Sequence, residues 1–233
     1  MKLGDTVPDF SFETNLRKVN SLHSYIGENW LMLFSHPADF TPVCTTELAE
    51  LVKLAPEFEK RHVEILAISI DSAETHRAWA QDINAVAKGC MNGGVYLPFE
   101  IIADTDRSIC NELGMVDPDE VNKEGICLSA RAVMLFGPDR KLKAKILYPA
   151  TFGRNFVEVL RMVDGVQLGT KAPVATPANW TPGANVIAQP SLSNEQVLEQ
   201  LCGGDPEKCK FHPLPSGKSY LREIEGDFYL KKK

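Results

Sequence analysis

The chain has 233 residues, a hydrophobic fraction of 44% and a formal net charge of −6 at pH 7. This length suits one large domain or a domain with an appendage, and the acidic balance excludes the basic surface that nucleic-acid binding requires. No apolar stretch reaches the length of a membrane span, and the first residues lack the features of a secretory signal, so we expect a cytoplasmic protein without integral membrane association. The lysines at 231–233 are expected to be a solvated end.

The first informative segment is an apolar run, Trp30 to Phe34, followed by a helix that begins at Pro42. The run stops shortly before a proline, which predicts a buried strand that ends in a turn. Thr41 suits the N-cap and proline suits the first helical position, so Cys44 is expected at the third. Unpaired backbone N–H groups and the positive end of the helix dipole favour a thiolate there. On this geometry alone, an inert cysteine in a core is the alternative.

Strands and helices alternate along the next hundred residues. The run from Val63 to Ile70 predicts a central strand buried on both faces. Asp71 and Glu74 predict a capping box, and the helix they start is expected to bury Trp79, Ile83 and Val86. The elements expected next are a break at 89–94, a strand at 99–103, a helix through Ile109 and Leu113, strands at 131–136 and 141–148, and a helix over 153–168. This alternation predicts an α/β fold with a mixed central β-sheet flanked by helices.

The composition changes after residue 170. Four prolines between Lys171 and Pro190 predict an extended connector. Ser193 and Gln196 then suit a capping box for a short helix, and residues 220–224 and 228–230 are expected to pair as strands. We therefore expect a domain over 1–170 and a small C-terminal α+β extension over 171–233.

The segment 36–47, HPADFTPVCTTE, carries a recognisable motif. Its Pro37, Thr41 and Cys44 reproduce the Pro-x-x-x-Thr-x-x-Cys signature of peroxiredoxins, and the whole segment resembles the one-cysteine, peroxiredoxin-6-like branch. Other segments that resemble this branch are residues 3–5, 8–10, 130–133, 148–151, 153–155, 174–177 and 214–218. The resemblance covers nearly the whole chain and implies a thioredoxin-like fold with a C-terminal extension.

The resemblance implies a thiol-specific peroxidase, an antioxidant oxidoreductase of cell redox homeostasis that reduces hydrogen peroxide and organic or lipid hydroperoxides. Cys44 would attack the peroxide and become a sulfenic acid. By the same resemblance, Arg131 reaches the pocket and stabilises negative charge, while the Thr41 hydroxyl contacts sulfur and peroxide and Pro37 shields the pocket. Without the family resemblance, we would expect Thr41 to act only as a helix cap and Arg131 to be a solvent-exposed charge.

Three further residues are assigned supporting roles by resemblance. His36 would lie beside the nucleophile, although a histidine before a proline also commonly satisfies a turn. Glu47 and Arg154 would orient the active-site groups. The resemblance implies no haem, flavin or catalytic metal, and it implies a homodimer.

Regeneration of the thiol is expected to need an external reductant. The Val-Cys-Pro segment of typical two-cysteine peroxiredoxins is missing, and Val174 to Pro177 stands in its region. The resemblance therefore implies a one-cysteine mechanism with an external thiol, for which glutathione is the candidate, and no bound cofactor.

The six cysteines are 44, 90, 110, 127, 202 and 209. Because they are scattered in a mid-sized chain without a secretion signal, we expect mostly free thiols, and Cys90, Cys110 and Cys127 match no redox pair. Cys202 and Cys209 are not a feature of this branch. They could form a local disulfide, act as a resolving pair, supply zinc ligands with His212, or be incidental surface thiols.

Two other activities are alternatives. Some peroxiredoxin-6 proteins hydrolyse phospholipids, as phospholipase A2 does, through a Gly-x-Ser-x-Gly segment, a histidine and an aspartate. Here Asn29 replaces the serine and Leu31 the second glycine, although His23 and Asp139 stand at the other positions, so we expect this activity to be absent or very weak. A chaperone-like oligomer is the third class, and no feature of the sequence favours it.

Overall fold

The computed structural model describes residues 1–87 and 97–226, and its contacts divide the chain into two units, Met1–Val159 and Leu160–Lys233. The first unit contains, in chain order, β1 (Phe12–Glu13), β2 (Lys18–Val19), α1 (Leu22–Ile26), β3 (Trp30–Ser35), α2 (Pro42–Glu59), β4 (Val63–Ser69), α3 (Ala73–Val86), β5 (Glu100–Ala103), α4 (Ser108–Leu113), β6 (Val116–Val121), β7 (Cys127–Ser129), β8 (Arg131–Phe136) and β9 (Leu142–Tyr148). Helix α5 (Phe156–Lys171) runs across the division between the units.

A five-stranded sheet with the order β5-β4-β3-β8-β9 forms the centre of the first unit. Strands β3, β4 and β5 are parallel, whereas β8 and β9 are antiparallel to their neighbours. Leu33 of β3 lies opposite Leu66 of β4 and Met134 of β8, and all three side chains are fully buried. The mixed central sheet and the thioredoxin-like α/β fold are therefore confirmed.

Helix α2 is held by an apolar stripe along one of its faces. Leu48, Leu51 and Phe58 are fully buried, and the helix packs against β4 and α3. The indole Nε1 of Trp79 also donates a hydrogen bond to Thr45 Oγ1, at 3.1 Å, which ties α3 to the first turns of α2.

The start of α3 differs from the prediction by one residue. Ser72 is the N-cap, because its hydroxyl accepts a hydrogen bond from the backbone N–H of Thr75. The Asp71 carboxylate is already occupied, since it accepts hydrogen bonds from the Asp39 N–H and the Ser69 hydroxyl. The expected burial of Val86 is also wrong: this last helical residue is 44% exposed.

Helix α5 begins at Phe156 rather than at 153. The Asn155 Oδ1 atom accepts hydrogen bonds from the backbone N–H groups of Val157 and Glu158, at 3.0 and 3.4 Å. Asparagine is a favourable N-cap residue, so this side chain sets the start of the helix.

The second unit contains β10 (Val174–Ala175), β11 (Val186–Ala188), α6 (Asn194–Gln196), a π-helical turn (Val197–Leu201), a 3-10 turn (Pro206–Lys208), β12 (Cys209–Phe211) and β13 (Arg222–Ile224). Its antiparallel sheet has the order β10-β11-β13-β12. The expected extended connector thus holds two short paired strands, because β10 and β11 hydrogen-bond to each other. The capping box of Ser193 and Gln196 is confirmed.

Some expectations fall on residues outside the described ranges: the break at 89–94, Cys90, the strand at 228–230 and the lysines at 231–233. Within the described ranges, no helix has both the length and the apolar character needed to cross a membrane. The domain division at 170 stays a prediction.

Candidate active site

Cys44 lies in the first turn of α2, as the sequence predicts. Pro42 is the first helical residue, Thr41 is the N-cap with extended backbone, and the Cys44 side chain is fully buried. The Thr41 hydroxyl does not cap the helix, because it donates instead to the Ala38 carbonyl at 2.9 Å. Thr41 therefore starts the helix by its backbone conformation, and its hydroxyl oxygen keeps lone pairs that can accept another hydrogen bond.

Arg131, the first residue of β8, brings a positive charge to the sulfur. Its Nη1 atom lies 3.3 Å from Cys44 Sγ and 2.7 Å from Glu47 Oε2. Its Nε and Nη2 atoms both donate to the Ala150 carbonyl, at 2.9 and 2.7 Å. The residue is 3% exposed, so a solvated surface charge is excluded and the guanidinium is fixed against the sulfur.

Glu47 joins the two arginines of the site. Its Oε2 atom accepts from Arg131 and from Arg154 Nη2, each at 2.7 Å, and its Oε1 atom accepts from the backbone N–H and the Nε of Arg154. Burial raises the pKa of Glu47, but the charge and hydrogen bonds of Arg154 and the charge of Arg131 outweigh it, so the pKa is lowered. The two guanidinium groups and one carboxylate place a net positive charge beside Cys44.

Arg154 is anchored as firmly as Arg131. Its Nη1 atom donates to the carbonyls of Ser35 and Ala132, at 2.8 and 3.0 Å, and its guanidinium lies 5.3 Å from the centre of the Phe34 ring. These contacts connect the site to β3 and β8, the two central strands. The predicted supporting residues Glu47 and Arg154 thus lie together with Cys44 and Arg131.

A second buried polar cluster includes His36 and two residues that the sequence analysis missed, Asp39 and His76. Asp39 Oδ1 lies 2.9 Å from His36 Nε2, and Asp39 Oδ2 lies 2.6 Å from His76 Nδ1. His76 Nε2 lies 3.1 Å from the Ile102 carbonyl. Both ring nitrogens of His76 thus face oxygen atoms, one of the Asp39 carboxylate and one of the Ile102 carbonyl.

Burial and these contacts together shift the pKa values of Asp39 and His36. Burial opposes ionisation of Asp39, but hydrogen bonds from His36 and His76 outweigh it and lower its pKa. Burial lowers the pKa of His36 despite its bond to Asp39, so His36 is neutral at pH 7 and donates through Nε2. Its Nδ1 atom is buried without a hydrogen-bond partner within the described part of the chain, and therefore offers an unused acceptor.

Asp71 lies beside this cluster, and one ligand atom each from His36, Asp39 and Asp71 lies within 4.8 Å of the others. These polar groups are already joined by hydrogen bonds, from His36 to Asp39 and from the Asp39 N–H to Asp71. The arrangement is that of a hydrogen-bonded loop support.

The sequence does contain a signal for His76. It shares one face of α3 with Trp79 and Ile83, both fully buried, so a helical plot places an ionisable ring on the apolar face. Pro37, the predicted pocket wall, is also buried.

The residues considered for acyl hydrolysis have other partners. His23 Nε2 lies 2.7 Å from the Val7 carbonyl, Asn29 Nδ2 donates to Glu64 Oε1, and the Asp139 carboxylate pairs with Lys143 Nζ at 2.6 Å.

The proposed zinc ligands are likewise engaged elsewhere. His212 Nε2 pairs with Glu223 Oε2 at 2.7 Å, and the ligand atoms of Cys202, Cys209 and His212 do not come together in the ranges that the structure describes.

Comparison with known proteins places this geometry in a family. Residues 3–145 match the model of the AhpC/TSA family, and residues 165–204 match the C-terminal domain of 1-Cys peroxiredoxin. The 1-Cys peroxiredoxin of Dirofilaria immitis is 51% identical over 95% of this chain and 96% of its own length. Peroxiredoxin-6 of Gallus gallus is 50% identical over 94% of this chain and 95% of its own length.

Solved structures of peroxiredoxins are also similar to this chain. A mutant of the peroxiredoxin 6 of Arenicola marina superimposes with a TM-score of 0.90 at 41% identity, over 97% of this chain and 98% of that one. The yeast mitochondrial 1-Cys peroxiredoxin, studied for thiol resolution through glutathione/thioredoxin systems, gives a TM-score of 0.82 at 36% identity. The match covers 97% of this chain and 99% of that one.

Proposed function

Since this chain belongs to the peroxiredoxin family and is a thiol-dependent peroxidase, we propose that Cys44 is its peroxide-reducing nucleophile and that Arg131 and Thr41 act on the same substrate. The observation that carries this proposal is the distance of 3.3 Å between Arg131 Nη1 and the buried Cys44 Sγ. A cation fixed at this distance stabilises the thiolate and the negative charge that develops on the departing oxygen.

The reaction follows from these positions. The Cys44 thiolate attacks the terminal oxygen of a hydroperoxide, so an S–O bond forms as the O–O bond breaks. The sulfur becomes a sulfenic acid that keeps the hydroperoxide proton, and the departing oxygen takes a proton from solvent to leave as water or an alcohol. The Thr41 hydroxyl orients the bound peroxide, and Pro37 contributes a wall without a hydrogen-bond donor.

The remaining residues position the reacting groups. Glu47 and Arg154 hold Arg131 against the sulfur. Asp39, between two histidine rings, holds the loop that leads from β3 into α2, which carries Pro37 and Thr41. These three are positioning residues, because each acts through another group.

We assign regeneration to an external thiol, and glutathione is the candidate. One thiol condenses with the sulfenic acid to give a mixed disulfide and water, and a second thiol displaces Cys44. The yeast relative, whose resolution involves glutathione/thioredoxin systems, supports this assignment, and no prosthetic cofactor enters the cycle. Hydrogen peroxide and organic or lipid hydroperoxides are the proposed substrates.

A homodimer and a cytoplasmic location complete the proposal, with a catalytic domain over 1–170 and the extension over 171–233. Leu147, Phe152 and Val157 are 52, 57 and 78% exposed, and such apolar side chains favour self-association. Free thiols at five described cysteines suit a reducing compartment. Sedimentation equilibrium should give twice the 25.8 kDa chain mass, and a value of one chain mass would exclude the dimer.

The direct test of the nucleophile is Cys44→Ser. The change is nearly isosteric, yet a hydroxyl is a far poorer nucleophile than a thiolate, so turnover of hydrogen peroxide with glutathione should be lost while circular dichroism stays unchanged. Cys127→Ser, at a half-buried cysteine, is the matched control and should keep full activity. Retained turnover in Cys44→Ser would refute the assignment.

A further inference from the structure

Two cysteines of the second unit face each other in its core. Cys202 follows the π-helical turn Val197–Leu201, and Cys209 is the first residue of β12. Their exposed fractions are 0 and 7%, which excludes incidental surface thiols. Both belong to one buried cluster of the second unit, and a side-chain hydrogen bond relates the Cys202 thiol to the sulfur of Cys209.

The surroundings distinguish the two thiols. Burial and the hydrogen bond to Cys209 raise the pKa of Cys202 to about 12. Burial also raises the pKa of Cys209, but the hydrogen bond from Cys202 and the charge of Arg222 oppose that rise. The pKa of both thiols therefore lies above its usual value, and Cys209 is the less buried of the two.

We propose that Cys202 and Cys209 are a second redox site, a dithiol that a hydroperoxide converts to a local disulfide independently of Cys44. The Cys209 thiolate attacks the peroxide and becomes a sulfenic acid, with release of water or an alcohol. Cys202 sulfur then attacks the Cys209 sulfur, and a second water leaves. Two thiols and one hydroperoxide thus give one disulfide, one water and one further water or alcohol.

The chain between the cysteines can adjust to this bond. Gly203 and Gly204 have φ values of +62° and +82°, in the region that favours glycine, and an added Cβ at either would meet nothing within 4 Å. Closing the bond brings the sulfurs from hydrogen-bond contact to about 2 Å. The space beside both glycines is open, and the shift is confined to the short segment between the two cysteines.

The disulfide would fasten an edge strand. Strand β12 lies at the end of the sheet order and pairs with β13 on its inner side. A bond from its first residue to the end of the π-helical turn closes a short loop and restricts the unfolded chain. We expect oxidation to raise the melting temperature of the second unit by about 5 °C.

Peptide mapping tests the proposal on the full chain. Reduced protein is treated with excess hydrogen peroxide without added thiol, free thiols are blocked with N-ethylmaleimide, and the protein is digested without reduction. Trypsin cuts after Lys208 and Lys210, so the cysteines fall on separate peptides, residues 172–208 and 209–210. We expect these peptides to be joined, two hydrogens lighter than their sum.

Two results would overturn the proposal. One is N-ethylmaleimide on both Cys202 and Cys209 after Cys44 has been fully oxidised, which would show an inert pair. The other is a disulfide from Cys44 to either residue, which would make them resolving thiols. Neither result would bear on the proposed peroxidase role of Cys44, because the Cys44→Ser assay tests that role separately.

Cys202→Ala is the control for the thermal effect. It removes one partner of the bond, so peroxide should leave its melting temperature unchanged, whereas the wild-type melting temperature should rise. An equal rise in both proteins would contradict the proposed link between the disulfide and stability.

Discussion

Glu47 is the residue on which the geometry of the site depends, because its two oxygens contact both Arg131 and Arg154. Its position three residues after Cys44 places both on one face of α2. Arg131 is thereby held between the Glu47 carboxylate and Cys44 Sγ. With Arg154, the cluster holds two buried guanidinium groups and one carboxylate beside the sulfur.

Arg131→Ala should leave the thiol in place and slow its oxidation by about 10²- to 10³-fold, the usual loss when a fixed donor to a developing anion is removed. Stopped-flow measurement of a single oxidation by hydrogen peroxide gives this rate. Arg77→Ala, an exposed arginine on α3, is the control and should react at the wild-type rate. An unchanged rate in Arg131→Ala would remove this residue from the mechanism.

Glu47→Gln should lower the free energy of unfolding by about 3 kcal/mol at pH 7, because two buried guanidinium groups lose their carboxylate. A carboxyl with a lowered folded pKa stabilises above its unfolded value, near 4.5, and loses this contribution as pH falls through the folded value. The difference in free energy of unfolding between wild type and variant, called the gap below, should therefore shrink as the pH falls toward about 3.

Urea unfolding at both pH values measures this gap. Glu50→Gln, in an exposed pair with Lys53 on the same helix, should change stability little at either pH. A gap that is constant with pH would contradict the role of the Glu47 charge.

The individual site residues were predictable to different degrees. Cys44 follows from local signals, a cap and a proline before a helix. Arg131 is 87 residues away, and only family resemblance connects the two. Asp39 and His76 were missed because their contact joins a loop to a helix 37 residues later, which no short-range pattern encodes.

At the element scale, the loop between β3 and α2 is held from three sides. Asp39 contacts His36 at the end of β3 and His76 on α3, and its N–H donates to Asp71, which follows β4. The loop that starts α2 is thus fixed to the carboxyl ends of two parallel strands. This support fixes the start of α2, which carries Cys44, although the Thr41 hydroxyl makes no capping hydrogen bond.

Asp39→Asn should loosen this loop. An amide has one acceptor oxygen and cannot accept from both buried rings as a carboxylate does, so the free energy of unfolding should fall by about 2 kcal/mol. Hydrogen–deuterium exchange of the first turn of α2 should increase. Asp82→Asn, exposed on α3, is the control, and equal exchange in both variants would contradict the loop support.

Strong periodic elements were predicted from the sequence, whereas short ones were not. The strands β3, β4, β8 and β9 carry long apolar runs and were located to within a residue or so. The hairpins β1–β2 and β6–β7 and the pair β10–β11 were missed, because strands of two to six residues with exposed positions lack a clear alternation. Their pairing depends on contacts made after the chain folds.

At the scale of the whole molecule, the first unit buries Cys44 beside two arginines, and the second unit buries Cys202 and Cys209 in one cluster. Resemblance over nearly the whole chain makes the peroxidase activity the best supported property. The family resemblance implies that a lipid-directed activity would need a serine where this chain has Asn29, so we expect no such activity.

Purified protein should release no fatty acid from phospholipid vesicles. Asn29 has no nucleophilic oxygen, and its amide is bound to Glu64. Mass spectrometry of the lipid extract measures release, with the His23→Ala variant as the background. Fatty acid released by wild type and lost in His23→Ala would show that another nucleophile serves this activity.

The most direct test of the central claim is peptide mass spectrometry after one equivalent of hydrogen peroxide, with a sulfenic-acid trap and no added thiol. We predict that the trap is found on Cys44, because this thiol alone lies against the Arg131 guanidinium in the described structure. A trap on another cysteine, with Cys44 still reduced, would contradict the account.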